Sequence, residues 1–265
     1  MYAIAMTLDI LNETALIALP QVEQAMAWLV SNGPIVADPP IPNWILRRLV
    51  EARRVMRLRR SLYLAPSASA RLLGVGPTLN ALDPGGYLSG LAALALHRLT
   101  DQDIADWWSI SPRRQPDVRY GRIGAHFICS PDRARSGQRV VLIDSGEQVT
   151  VATPTQALLD ELRFLPQRID WLATARMLSE ALDQHVTSPS ELTAVLDQDE
   201  APSAAVARRL GFLLESVGAS APEQLLRISR RTHDVTVAAG ARTRIERWRL
   251  VSPVSELEIQ RGIQG

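Results

Sequence analysis

Lysine is absent from this 265-residue chain: all 29 of its basic residues are arginine. That absence excludes a lysine-dependent P-loop, a lysine Schiff base and any nuclease centre that needs a catalytic lysine. Cysteine is almost as scarce. The single Cys129 cannot form an internal disulfide, and such usage fits a reducing compartment. Apolar runs are short, none reaching the roughly 18 uninterrupted residues of a membrane span. The opening "MYAIAMTLDILNETALIALP" is apolar, but it lacks a basic leading region and is broken by Asp9 and Glu13. It therefore reads as an arm over residues 1–19 rather than a signal peptide. Together these absences predict a cytoplasmic protein. An apolar content of 46% supports a sizeable core and two or more domains.

What is present is unevenly distributed. The formal net charge is +1. Positions 47–60, within "NWILRRLVEARRVMRLRRSLYLAP", hold seven arginines and one acid, Glu51, a net of +6 that leaves −5 for the rest of the chain. A mildly acidic body carrying one strongly basic segment is the asymmetry of a local polyanion-binding module.

Periodicity gives that segment a shape. "QVEQAMAWLVSNGP" has helical spacing, with Val22, Ala25, Met26 and Leu29 on one side and a stop at Gly33-Pro34. The proline-rich "IVADPPIP" has room for only a brief turn of helix. Asn43 to Arg54 is expected to form a second helix. At 100° per residue, Ala52, Ile45, Leu49, Leu46 and Val50 fall on one side of it, and Asn43, Trp44, Arg47, Arg48, Glu51 and Arg54 on the other. Arginine can pair with guanine and asparagine with adenine in the major groove. Trp44 suits either the domain edge or the nucleic acid. Val55–Leu64 alternates as a hairpin, which puts Arg57 and Arg59, two apart, on one face with Arg60 at the turn. Helix, short turn, helix and basic hairpin together predict a winged helix-turn-helix over residues 20–66 that binds double-stranded DNA. A basic amphipathic helix also suits an adaptor or orphan regulator that docks an acidic protein or RNA, which is the competing reading.

Beyond a linker expected in "APSASARLLGVGPTLNALDPGG", the pattern is mixed. "YLSGLAALALHRL" reads as a buried helix, "HFICS" and "RVVLID" as strands, and "EQVTVATPTQALLDELR" as a strand and a helix capped by Thr153, with Gln156 at the capping-box position. Ser188 caps a further helix, "AAVARRLGFLLESVG" closes at Gly218, and late strands fall in "DVTVAA" and "RWRLVSP". The fold class is thus mixed α/β (α+β), with a larger C-terminal domain over 67–265.

No constellation for catalysis emerges, and no cofactor or metal is expected. His126 and Cys129 have the spacing of half a metal site, but His97, His185 and His233 are isolated. Adjacent Asp160 and Glu161 diverge by about 100° on a helix instead of converging, and "DSGE" at 144–147 reads as a turn. Arg208, Arg209, Arg230 and Arg231 read as solvated surface.

The segment "LRRLVEARRVMRLRRSLYLAPS" resembles the recognition helix and wing of the abortive-infection AbiEi antitoxins. "YLSGLAALALHRLTDQ", "VTVATPTQALLDEL", "ARRLGFLLESVG" and "RWRLVSPV" resemble further segments of that family in the same order, over roughly residues 20–255. The resemblance implies an N-terminal winged helix joined to an α/β domain, in the antitoxin of a type IV toxin–antitoxin system. Such an antitoxin represses its own operon at operator repeats, with dimerisation on DNA left open. It counters a nucleotidyltransferase toxin without requiring a stable complex with it. Two departures stand out: Ser61 occupies the wing position where the family usually has glycine, and "ADPPIP" abbreviates the helix-turn-helix.

Overall fold

The computed structural model describes residues 20–31, 35–64, 75–100, 104–120, 123–144, 147–164, 170–199, 203–232, 235–238 and 240–264. The expected arm at 1–19 lies outside them. The chain is mixed α/β, with helices and three sheets among the described residues.

The N-terminal part begins with helix α1 (Pro20–Ser31), strand β1 (Ile35–Ala37) and helix α2 (Asn43–Glu51). Strands β2 (Met56–Arg59) and β3 (Leu62–Leu64) follow. The three strands form one antiparallel sheet in the order β1-β3-β2. Val22, Ala25 and Leu29 of α1 pack on Ile45, Leu46 and Leu49 of α2, with Val36, Val55 and Tyr63 completing a small core. Residues 38–42 contain no helix, so the two helices are joined through β1 and a proline-bearing turn.

The larger part is built on a six-stranded mixed sheet. Its strands are β4 (Tyr87–Ser89), β5 (Asp106–Ser111), β6 (Val118–Tyr120), β7 (Ile123–Cys129), β8 (Arg139–Asp144) and β9 (Glu147–Ala152), in the order β6-β7-β5-β4-β9-β8. Helices α3 (Val75–Leu82), α4 (Gly90–Leu96), α5 (Pro131–Ser136) and α6 (Pro154–Phe164) pack against it. Helices α7 (Trp171–Asp183), α8 (Pro189–Asp197), α9 (Ala204–Ser216) and α10 (Glu223–Ser229) extend the core. A small sheet closes the fold, with β10 (Thr236–Val237), β11 (Thr243–Ile245) and β12 (Leu250–Ser252) in the order β10-β12-β11, followed by α11 (Glu256–Gln264). At the centre, Gly211 of α9 lies under the Trp248 ring: a Cβ there would come within 2.1 Å of it. The buried indole donates to Glu215 Oε2 at 2.7 Å.

Several expectations need correction. The expected linker is not one over Val75–Leu82, where α3 forms and buries Leu79 and Leu82, and its residues 65–74 lie outside the described residues. Tyr87–Ser89 is a central strand, and the helix starts at Gly90, where φ is +63°. The "RWRLVSP" stretch is a strand only over Leu250–Ser252, preceded by a short 3-10 turn at Glu246–Trp248. Thr153 does cap α6 through its hydroxyl, but Gln156 does not reach back to it. That amide instead donates to Asp160 and accepts from the Gln138 N–H. The "DSGE" turn lies partly outside the described residues.

Strand β3 ties the two parts together. Tyr63 belongs to the small core, while its neighbours Leu62 and Leu64 point the other way into the large one. Strict alternation along a strand thus welds the N-terminal helices to the body through one buried strand.

Candidate nucleic-acid interface

Helix α2 separates its two sides cleanly. Ile45, Leu46 and Leu49 are buried and Val50 is half-buried, while Asn43, Arg47, Arg48 and Glu51 are exposed and Trp44 is 47% exposed. The wheel therefore describes this helix correctly up to Glu51. Arg47 Nε meets Glu51 Oε1 at 2.8 Å, an exposed one-turn pair whose strength in water is small. The Arg48 guanidinium sits 5.5 Å from the centre of the Trp44 ring, so the tryptophan flanks the arginine as a stacking platform.

The helix stops before Arg54. Arg53 takes a left-handed conformation at φ +54°. The N–H groups of Arg53 and Arg54 then bond back to the carbonyls of Val50 and Leu49, the pairing of a Schellman terminus. Arg54 therefore lies in an exposed bend beyond the helix, not on its outward face. A glycine-free sequence gave no warning of that stop, which is why the expected helix ran three residues too long.

The β2–β3 hairpin differs from expectation in a second way. Arg57 pairs opposite Tyr63 but Arg59 opposite Leu62, a one-residue slip within β2. Directly opposed residues share a face of a sheet, and Leu62 and Tyr63 lie on opposite faces. Arg57, opposite Tyr63, therefore belongs to the face toward α2. The expected two-residue period between positions 57 and 59 is interrupted by the bulge in the backbone register. Ser61 makes the turn with φ +59°, accepting the left-handed conformation that glycine adopts without strain.

A cleft of about 500 Å³ lies between α2 and the hairpin, lined by Asn43, Arg47, Glu51, Arg57, Arg60, Ser61 and Tyr63 among others. Two stretches of the basic segment, one helical and one from the ribbon, thus converge on a single concavity. The fold adds a neighbour that sequence reasoning missed. Strand β6 lies against β2, and it carries exposed Arg119 in a second arginine-rich stretch, "RRQPDVRYGR" at 113–122. Its density of arginine was the available signal.

The surface reading fails for one arginine pair and holds for the other. Arg208 and Arg209 are only 2% and 7% exposed, not surface. Arg208 donates to the carbonyls of Ser229 and Thr232 and to the hydroxyls of Thr232 and Thr236, and Arg209 donates to the Leu162 carbonyl. Burial lowers the Arg209 pKa. Arg230 and Arg231 are exposed, and Arg231 pairs with Asp197 at 3.0 Å.

In the body, His97 caps the end of α4 and its Nε2 bonds the Ala152 carbonyl at 2.8 Å. His126 bridges Asp117 and Asp106 through its two ring nitrogens and stacks on Trp108, while Cys129 is exposed. The two aspartates lie on opposite nitrogens, so this trio does not converge on one point. No group of three or more metal-ligating side chains occurs among the described residues. Asp160 is fully buried and accepts from Tyr87, Ser89 and Gln156, and burial pushes its carboxyl pKa up. Glu161 is likewise buried, and burial raises it to about 7.

No family model and no curated protein matches the sequence. The fold is similar to that in the crystal structure of the RV2827C protein from Mycobacterium tuberculosis. The TM-score is 0.60 at 16% identity, covering 94% of this chain and 96% of that one. At that identity the likeness speaks to the fold alone.

Proposed function

We propose that this chain is a cytoplasmic, non-enzymatic DNA-binding repressor whose N-terminal part is an abbreviated winged helix, and that it serves as the antitoxin of a type IV toxin–antitoxin system. The observation that carries the DNA-binding reading is the convergence of Asn43 and Arg47 with Arg57 and Arg60 on one cleft. A sheet that pairs its first strand with its last, beside two helices, gives that cleft the layout of a helix presented next to a wing. Asn43, Arg47 and Arg48, on a rigid helix, are suited to reading base edges. Arg57 and Arg60, on the ribbon, are suited to holding flanking phosphates. Trp44 supports Arg48 by stacking.

The antitoxin role rests on the sequence resemblance. It makes the partner a nucleotidyltransferase toxin whose effect the chain opposes without a lasting complex. No helix among the described residues is long and apolar enough to cross a membrane, which is compatible with action on DNA.

The test is a reporter driven by the chain's own upstream region, with the protein supplied in trans. The reading predicts repression that Arg48→Ala relieves while the protein stays folded. A reporter indifferent to the wild-type chain contradicts it. Growth rescue of cells expressing an adjacent nucleotidyltransferase gene tests the second half separately.

A further inference from the structure

A second cleft, of about 550 Å³, opens on the body far along the chain from the basic segment. It lies where α5, the end of α6 and the end of α8 meet, and Arg133, Arg135, Arg163, Phe164 and Asp199 are among its lining residues. Its charge is unusual. Arg133, with a side chain only 9% exposed, reaches one oxygen of Asp199 at 2.6 Å, and Arg163 takes the other oxygen. One carboxylate thus serves two guanidinium groups. The Arg163 Nε is buried with no partner. Arg133 Nε is 3.8 Å from Asp160, beyond hydrogen-bond reach, and three neutral donors already occupy that carboxylate. At the rim Arg135 pairs only with Asp132, and both are largely exposed.

We infer that this cleft is a binding site for a small phosphomonoester, with Arg133 and Arg163 as the phosphate clamp, Arg135 as its outer contact and Asp199 as the internal anion that the phosphate displaces. Two guanidinium forks match the oxygens of a phosphate better than one carboxylate can, because phosphate offers three terminal oxygens and up to two charges. The volume falls in the range of small-molecule sites. Phe164 supplies an aromatic surface beside the clamp, which suits a ligand the size of a nucleoside monophosphate. The alternative role of the trio, bolting α8 to α5 and α6, needs no cavity and no unpaired Arg163 Nε.

The site is independent of the DNA-binding reading, and the two fail separately. Calorimetric titration of inorganic phosphate and of adenosine 5′-monophosphate into the full chain, in chloride buffer, is the test. Saturable one-site uptake is expected, with the nucleotide tighter than phosphate. Arg163→Gln should weaken it about tenfold, the loss of one charge-assisted contact. Asp199→Asn, which removes the competing anion, should strengthen it severalfold. That opposite sign distinguishes a ligand site from a structural bolt. Arg135→Glu, at an exposed position, keeps the test decisive if the buried variants fail to fold: it should weaken uptake without changing the melting curve. Arg47→Ala should leave uptake unchanged. Absence of saturable binding to the wild type overturns the proposal. So does indifference to Arg135→Glu, a folded Asp199→Asn that binds no better, or a DNA duplex that displaces the nucleotide from the cleft.

Discussion

Arginine behaves differently in the two halves of this molecule. On α2 it is presented outward: Arg47 lies beside an exposed glutamate and Arg48 beside a tryptophan ring. In the body some arginines are enclosed, although others such as Arg119, Arg135 and Arg230 are exposed. Arg208 spends its donors on carbonyls and hydroxyls brought in from 21 to 28 residues away, and Arg133 meets Asp199 in a buried pair. The difference teaches that arginine count alone says little. A guanidinium enclosed by carbonyls is part of the scaffold, whereas one held on a rigid helix with a weak surface partner is available to a polyanion.

The sharpest way to break this contrast is to remove one arginine from each side. Arg208→Ala leaves several buried acceptors without a donor and should cost about 3 kcal/mol or more of stability in denaturant unfolding. Arg48→Ala should stay within about 0.5 kcal/mol, as exposed substitutions do. Comparable losses for both would erase the distinction between scaffold and surface.

Next in size is a pH effect confined to the body. The raised pKa of Glu161 means that the folded chain holds this proton more tightly than the unfolded one. The resulting stability is complete below about pH 4.5 and is lost as pH rises through about 7, on the order of 3 kcal/mol at 1.4 kcal/mol per pH unit. Unfolding measured between pH 5 and 8 should show that decline in the wild type, and Glu161→Gln should make it shallower, with buried Asp160 keeping its own contribution of the same sign. A wild type that gains stability over this range contradicts the assignment.

A smaller contrast lies within the interface. Arg47→Ala should cost roughly 1–3 kcal/mol on operator DNA and relax sequence preference, whereas Arg59→Ala should weaken binding to every duplex and flatten the salt slope. Equal losses on operator and random DNA for both would merge the two roles. The register slips between Arg57 and Arg59, so a negligible effect at 59 together with a clear one for Arg57→Ala would assign the ribbon contact to Arg57. The smallest effect is expected at the wing turn. Ser61→Gly relieves a left-handed residue and should add up to about 1 kcal/mol of stability, read from the unfolding midpoint.

The sequence made some of this legible for identifiable reasons. The faces of α2 followed from its 3.6-residue period, because short-range spacing decides which side meets α1. Ser188 caps α8 as expected, its hydroxyl accepting from the Glu191 N–H. What escaped depends on partners distant in the chain. Strand β5, "DWWSIS", lacks clean alternation, its last three residues Ser109–Ser111 all being buried. Arg208 and Arg209 pass for surface residues in any hydropathy pattern, since the carbonyls that accept from them belong to other elements. The bulge in β2 and the stop at Arg53 both lie where no glycine marks the backbone. The stop takes Arg54 off the helix, and the bulge shifts the backbone register between Arg57 and Arg59.

The most direct test of the central claim is a binding titration of the full chain against its own upstream DNA and a scrambled duplex, repeated over a range of salt concentrations. The account predicts preference for the upstream fragment and an affinity that falls steeply as salt rises, with Arg47→Ala abolishing most of the preference. Equal, weak binding to both duplexes would contradict it and reduce the α2 face to a generic basic patch.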